Sequence, residues 1–170
     1  DRNGTLLFIE AMRRVPRRYE VRAVVRTHGT LPSPDPLRVE IVNGVRPFYY
    51  ENYERRFDVQ FLPRRYGGLC LPLNEASSCG IPSIMPDLAP QNALLPPGAL
   101  VPASKAGELQ LRARLDVFDA SIPAIVEKIV ELHTNPDLVA ALSARADEYA
   151  ESISWTRMKP RYEAALGALL

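Results

Sequence analysis

Apolar positions fall three and four apart at the start of the chain. Phe8, Ala11, Met12 and Val15 make one stripe, which predicts an amphipathic helix. Asp1 and Asn3 are both placed to cap it, and Pro16 stops it. The period then shortens. Residues 21–25 are rich in β-branched side chains and predict a strand, followed by a loop carrying Pro32, Pro34 and Pro36. Residues 39–42 predict a second strand, with Asn43-Gly44 as the turn after it. Residues 47–56 predict a helix with Phe48 and Tyr49 inward. The short apolar run at 59–62 predicts a buried parallel strand, and 82–85 and 99–101 predict two further strands. Leu109, Leu111, Ala113, Leu115 and Val117 alternate with Gln110, Arg112, Arg114 and Asp116, which predicts one half-buried strand with a wet face.

The last third is helical. Ser121 caps a helix with the stripe Ile122, Ile125, Val126 and Ile129. Asn135-Pro136 opens a second, with Leu138, Ala141, Leu142 and Arg145 at helical spacing. Ser154 opens a third, with Trp155, Met158, Tyr162, Ala165, Leu166 and Leu169 in register. These stripes are expected to face the core. Helices alternating with short apolar strands predict an α/β fold: a Rossmann-like parallel sheet with helices on both faces and a helical C-terminal end.

Composition narrows the function classes. A chain of 170 residues can bury one real core, so a single domain, residues 1–170, is expected. The net charge of +1 offers no overall field for nucleic acid or an acidic membrane. The arginines are scattered without interleaved aromatics, which argues against a nucleic-acid binder. No apolar run is long enough for a membrane span and no signal-peptide pattern opens the chain, so the expectation is a cytoplasmic protein. Lys105, Lys128 and Lys159 are the only lysines among 21 basic residues, a bias that suits phosphate binding and equally fits codon usage. Cys70 and Cys79 stand nine residues apart along one predicted helix, where they read as reduced thiols and not as a bridge. His28 and His133 lack acidic or cysteine companions at ligand spacing, so zinc is not expected. No Asp-x-Asp pair sits in a loop at a strand end either, and neither a metal nor a bound cofactor is expected.

The candidate chemistry lies in residues 64–82. Arg64 and Arg65 precede the pair Gly67-Gly68, and a helix opens near Pro72 and closes at Gly80. Strand, glycine turn, helix N-terminus and two arginines together make an anion cradle, since free N–H groups and the helix dipole favour a phosphate. Glu75 falls in the first turn of that helix, where it either complements the dipole or receives a ligand hydroxyl.

Gly68-Leu69, Asn74-Glu75-Ala76 and Cys79-Gly80-Ile81-Pro82 resemble the "EGFGL…EAMACGxPV" segment of retaining GT-B glycosyltransferases of the glycogen-synthase-like superfamily. Asn3-Gly4 with Leu7 and Ala11 resembles that family's "KG…LL.A" helix, and residues 39–45 its "V.F.G.V" strand and turn. Residues 53–58 resemble "LY..AD", and Ser154-Trp155 resembles the "FSW" that opens the last helix. The likeness runs over nearly the whole chain.

It implies a two-domain transferase whose C-terminal half binds a nucleotide-diphospho-sugar and whose N-terminal half binds the acceptor. This chain would be the donor-binding half, a fragment lacking the acceptor domain and the first strand of its own sheet. That strand is central in the family, so its absence would leave two unpaired edges facing each other; a different strand order is the other possibility.

In the implied site, backbone N–H groups around Gly67, Gly68 and Leu69 take the diphosphate and Glu75 takes the ribose hydroxyls. Gly44 and Val45 lie near the base, or form a plain turn. The family's basic pair comes from the first strand and loop; here the lysine's position is Asn3, with Arg2 beside it, and Arg2, Arg64 or Arg65 would substitute. Arg64 and Arg65 are the candidate catalytic groups, because charge gathers on the departing nucleoside diphosphate and pre-aimed cations stabilise it. Glu75 matches the second glutamate of the family's paired motif, and the spacing before it is two residues longer than usual. The first glutamate is missing, with Arg65 nearest its place: a surface charge, or a partner for an acidic sugar or the phosphate. Asp87 and Asn92 lie in the loop after the next strand, where they either contact the sugar or are simply solvated. The alternatives are a nucleotide-sugar epimerase or sugar phosphorylase on the same plan, and a non-catalytic nucleotide- or phosphate-binding module.

Overall fold

A computed structural model describes residues 1–27, 31, 33, 35–43, 57–68 and 70–167. The helix expected at 47–56, the turn at Gly44 and Val45, and Leu69 lie outside the described residues. The elements run α1 (Thr5–Arg14), β1 (Ala23–Thr27), β2 (Val39–Asn43), β3 (Gln60–Phe61), α2 (Leu71–Ser77), β4 (Ser83–Pro86) and β5 (Leu100–Val101). There follow β6 (Ala103–Gln110), β7 (Arg114–Ala120), α3 (Ile122–Thr134), α4 (Pro136–Ser152) and α5 (Trp155–Gly167).

The fold is α/β with parallel strands. β1 pairs with β2 in parallel from Ala23↔Val39 to Thr27↔Asn43. β4 pairs in parallel with β3 (Phe61↔Ile84) on one side and with β5 (Met85↔Leu100) on the other. All four β4 residues are buried, and its alternation shows why. Ile84 joins one cluster with Ala11 and Met12 of α1, Val15 just after it, and Ile125 and Ile129 of α3, while Met85 joins another with Cys70 and Leu73 at α2. Successive strand side chains point to opposite faces, so β4 has helices on both sides. The parallel strands form two pieces, β1-β2 and β3-β4-β5, with no ladder joining them among the described residues. One apolar cluster nonetheless includes Val25 and Val39 of the first piece and Ile84 and Val101 of the second.

The helix starts follow from local chemistry. The Ser121 hydroxyl accepts from the Ala124 N–H at 3.3 Å, and Asn135 Oδ1 accepts from the Leu138 N–H at 3.1 Å. At α1 the Asp1 carboxylate accepts from the N–H groups of Thr5 (3.1 Å) and Leu6 (2.9 Å). Each contact satisfies donors that a helix leaves open in its first turn.

Two expectations need correction. The alternating run at 109–117 is not one strand: the chain folds back at residues 111–113, and β6 and β7 pair antiparallel from Ala103↔Ala120 to Gln110↔Arg114. The turn contains none of the glycine, proline, asparagine or aspartate that usually marks one, and the alternation runs through it unbroken. The stripe of α5 does not enter the core either. None of the helix's described residues is buried, and Trp155, Tyr162 and Leu166 are 67%, 53% and 62% exposed. The Trp155 and Tyr162 rings lie 5.9 Å apart on that face. Periodicity reports that a helix has an apolar face, not that something covers it.

Candidate functional site

β3 ends at Phe61, and the chain continues through residues 62–68 beyond the C-terminal end of the parallel strands. The N-terminus of α1 is docked on this loop at one tight point. Gly4 has φ +66, and a Cβ built on it would stand 1.9 Å from the Pro63 carbonyl oxygen. Only glycine fits both the left-handed backbone and that approach. Beside it, the Arg65 N–H donates to the Arg2 carbonyl at 3.0 Å.

This docking brings two guanidinium groups to one place. Arg2 Nη2 and Arg64 Nη2 each lie 2.8 Å from the position a Cβ of Gly67 would occupy, and Gly67 has φ +131. Arg2 also sits over the Tyr66 ring, 5.8 Å from its centroid. Two like charges converging on one exposed glycine gain from an anion between them, and guanidinium forks match phosphate oxygens. Gly67 and Gly68 are exposed, and nothing lies within 4 Å of a Cβ built on Gly68.

Arg65 points elsewhere. Its guanidinium pairs with Asp119 of β7, and its carbonyl accepts from the Phe118 N–H at 2.9 Å. Arg65 therefore ties the β6–β7 hairpin to the loop, while Arg2 and Arg64 face Gly67. Asn3 is exposed in the turn before α1. Glu75 is exposed too, on a helix whose Leu73, Ala76 and Ser77 are buried. Because α2 begins at Leu71, Glu75 lies past the first turn, which weakens the helix-dipole explanation for it.

Several groups hold α2 and the loop in place. Tyr149 of α4 donates its hydroxyl to Asn74 Oδ1 at 3.0 Å, and Ser143 donates to the Gly80 carbonyl. Burial, with a smaller contribution from Cys70, raises the Tyr149 phenol above its ordinary value. Gln91 is buried, and its Nε2 donates to the carbonyls of Gly68 (2.7 Å) and Gly67 (3.4 Å). Asp87, also in the loop after β4, accepts from Asn92 Nδ2 at 2.8 Å. Gln91 and Asp119 were not singled out from the sequence, which carries no local sign that either reaches the glycine loop. A small depression lined by Ser77, Ser83, Leu95, Leu142 and Tyr149 includes none of the loop residues. Among the described residues no trio of His, Cys, Asp or Glu is placed to hold a metal ion, and no helix is long and apolar enough to cross a membrane.

Comparison with solved structures superposes 98% of the chain on a sucrose-phosphate synthase from Thermosynechococcus elongatus, with a TM-score of 0.70 and 19% sequence identity. The chain has a glycosyltransferase fold. It spans 43% of the length of that synthase. No family model matches the sequence, and no curated protein does. Within this glycosyltransferase fold the glycine loop occupies the C-terminal end of β3, the side on which open α/β sheets bind their ligands.

Proposed function

We propose that the chain is the donor-binding domain of a retaining glycosyltransferase and holds a nucleotide-diphospho-sugar at the Gly67-Gly68 loop. The observation that carries this reading is the convergence of the Arg2 and Arg64 guanidiniums over Gly67. The pyrophosphate would lie against main-chain N–H groups around Gly67, Gly68 and Leu69. Arg2 and Arg64 would supply the positive charge. Glu75 would accept from the ribose hydroxyls, Gly44 and Val45 would border the base, and Asn3 would flank the phosphate side.

In the transfer step the bond from the anomeric carbon to the β-phosphate oxygen breaks, an acceptor hydroxyl oxygen bonds to that carbon and gives up its proton to the departing phosphate oxygen, and until that proton arrives negative charge gathers on the nucleoside diphosphate. Pre-aimed guanidiniums and N–H groups stabilise that charge without rearranging, which lowers the barrier. Arg64 is the catalytic group in this account. Arg65, tied to Asp119, acts as a positioning residue. No metal is required, so donor binding should survive EDTA.

The acceptor would be bound by a second, N-terminal domain; the chain's 43% share of the synthase's length supports such a partner. The break between the β1-β2 and β3-β4-β5 pieces supports a further strand between them, since both belong to one apolar cluster yet share no ladder among the described residues.

Calorimetric titration with uridine, guanosine and adenosine diphosphates tests the reading. One of them should bind. Arg64→Met should then weaken it about tenfold or more, the expected loss for one charged hydrogen bond. Glu75→Ala should weaken the diphosphate and the parent nucleoside alike. Binding of none of the three diphosphates would refute the proposal. A second reading, a non-catalytic nucleotide-binding module, is favoured by Arg65 being paired with Asp119 where the family has a sugar-facing acid. Product analysis with the acceptor domain present separates the two.

A further inference from the structure

We propose that Gln91 is the positioning residue of the glycine loop, turning its carbonyls inward so that an anion meets N–H groups; this rests on the donor-site reading above. Gln91 is only 6% exposed, and its Nε2 donates to two successive carbonyls, Gly68 O at 2.7 Å and Gly67 O at 3.4 Å. Both partners are acceptors, so the amide nitrogen must be the atom that faces them. A carboxylate there would set negative charge against two carbonyl oxygens.

The consequence for the loop is geometric. In a trans peptide the carbonyl and the N–H point in opposite directions. Fixing Gly67 O on Gln91 therefore turns the Gly68 N–H away from Gln91. Two adjacent exposed glycines have no such preference of their own, and the space around Gly68 leaves it free to rotate. A flipped peptide would present a carbonyl oxygen to the ligand, which repels phosphate. Gln91 thus decides the sign of the loop's dipoles. It does so from a short turn, Gln91–Ala93, soon after the central strand β4, so the clamp is anchored to the core and not to the loop it orients.

The test uses Gln91→Met, which keeps the volume without donors, and Gln91→Glu. Three readouts are needed: the melting temperature, the amide resonances of Gly67 and Gly68 without ligand, and affinities for a nucleoside diphosphate and its parent nucleoside. For Gln91→Met the expectation is displaced or broadened Gly67 and Gly68 resonances and diphosphate affinity reduced about tenfold, with nucleoside affinity unchanged. Gln91→Glu should lose diphosphate affinity at neutral pH and recover part of it in acid, where the protonated carboxyl regains one donor, with nucleoside affinity unchanged at both pH values; a purely structural residue would move both affinities together. A folded Gln91→Met that binds the diphosphate as tightly as wild type overturns the clamp and leaves the donor site standing. Wild-type protein that binds no diphosphate, even with Gly68 resonances sensitive to Gln91→Met, overturns the donor site and the clamp's role with it.

Discussion

Replacing Gly4, Gly67 and Gly68 one at a time with alanine separates the docking of α1 from the function of the loop. At Gly4 the added Cβ would meet the Pro63 carbonyl oxygen at 1.9 Å, where real contacts stay beyond 3.0 Å. That oxygen belongs to the backbone of a buried residue and cannot swing aside. The left-handed backbone, φ +66, costs alanine about 1–2 kcal/mol, and overpacking a tight site costs about 1–3 kcal/mol more. The sum, about 2–5 kcal/mol, corresponds to a fall of roughly 5–20 °C in melting temperature for a domain of this size. At Gly67 the backbone cost, about 1–3 kcal/mol for φ +131, remains, but the obstacles are the far ends of the long Arg2 and Arg64 side chains and not backbone. Those ends yield, so Gly67→Ala should lose less stability than Gly4→Ala and lose more diphosphate affinity than its stability change suggests. Gly68→Ala meets nothing within 4 Å and should melt within a degree or two of wild type. Circular dichroism melts in one buffer establish the order. Gly4→Ala melting with the wild type would refute the docking of α1 on Pro63, and with it the delivery of Arg2 to the loop.

Asn135→Ala removes the side-chain acceptor at the start of α4 and should cost about 1 kcal/mol in urea unfolding. Trp155→Ala should change stability by less than about 0.5 kcal/mol in the same assay, because the ring is two-thirds exposed. The Tyr149 phenol, raised by burial above its ordinary value of 10.0, holds its proton more tightly folded than unfolded. Its contribution is therefore whole below about pH 10 and is lost as the pH climbs through the raised value. Tyr149→Phe should lose about 1 kcal/mol with the bond to Asn74 and should flatten the alkaline decline, read from urea unfolding across that range.

The parts of the fold that are legible in the sequence are those set by neighbours in the chain. Ser121 and Asn135-Pro136 announce helix starts because a cap acts over three residues, and both cap as expected. The short apolar run at 82–85 reads as a strand and forms β4, buried on both faces, whereas the run at 59–62, which reads as a buried strand, forms only the two half-buried residues of β3. The hairpin is hidden because its turn lacks turn chemistry, so one alternation ran through two strands. The α5 stripe misleads for a different reason: a helix can be amphipathic with its apolar face open. In the candidate site, Arg64 and the glycine pair stand out from residue type and spacing, whereas Arg2 enters only through the family resemblance around Asn3-Gly4. Gln91 and Asp119 are not legible, since they reach the loop from 23 and 54 residues away.

That division has a physical root in the loop itself. Gly67 and Gly68 have no side chains with which to fix their own shape, and ordering two glycines costs more chain entropy than ordering any other pair. The order has to be imported. α1 contributes the Gly4–Pro63 contact and the Arg2 guanidinium, the turn after β4 contributes Gln91, and the hairpin contributes Asp119, which takes the Arg65 charge. Each donor is anchored in its own element, so each replacement changes a different property of the loop. Loss of Gly4 moves a charge, loss of Gln91 frees a dipole, and loss of Asp119 releases the third guanidinium. An exposed segment built this way can present backbone N–H groups to a ligand while contributing little to the core. Under the donor-site proposal, damage to binding and damage to folding should separate at this loop, whereas loss of Ile84 or Met85, which pack the helices of both faces, should register in folding.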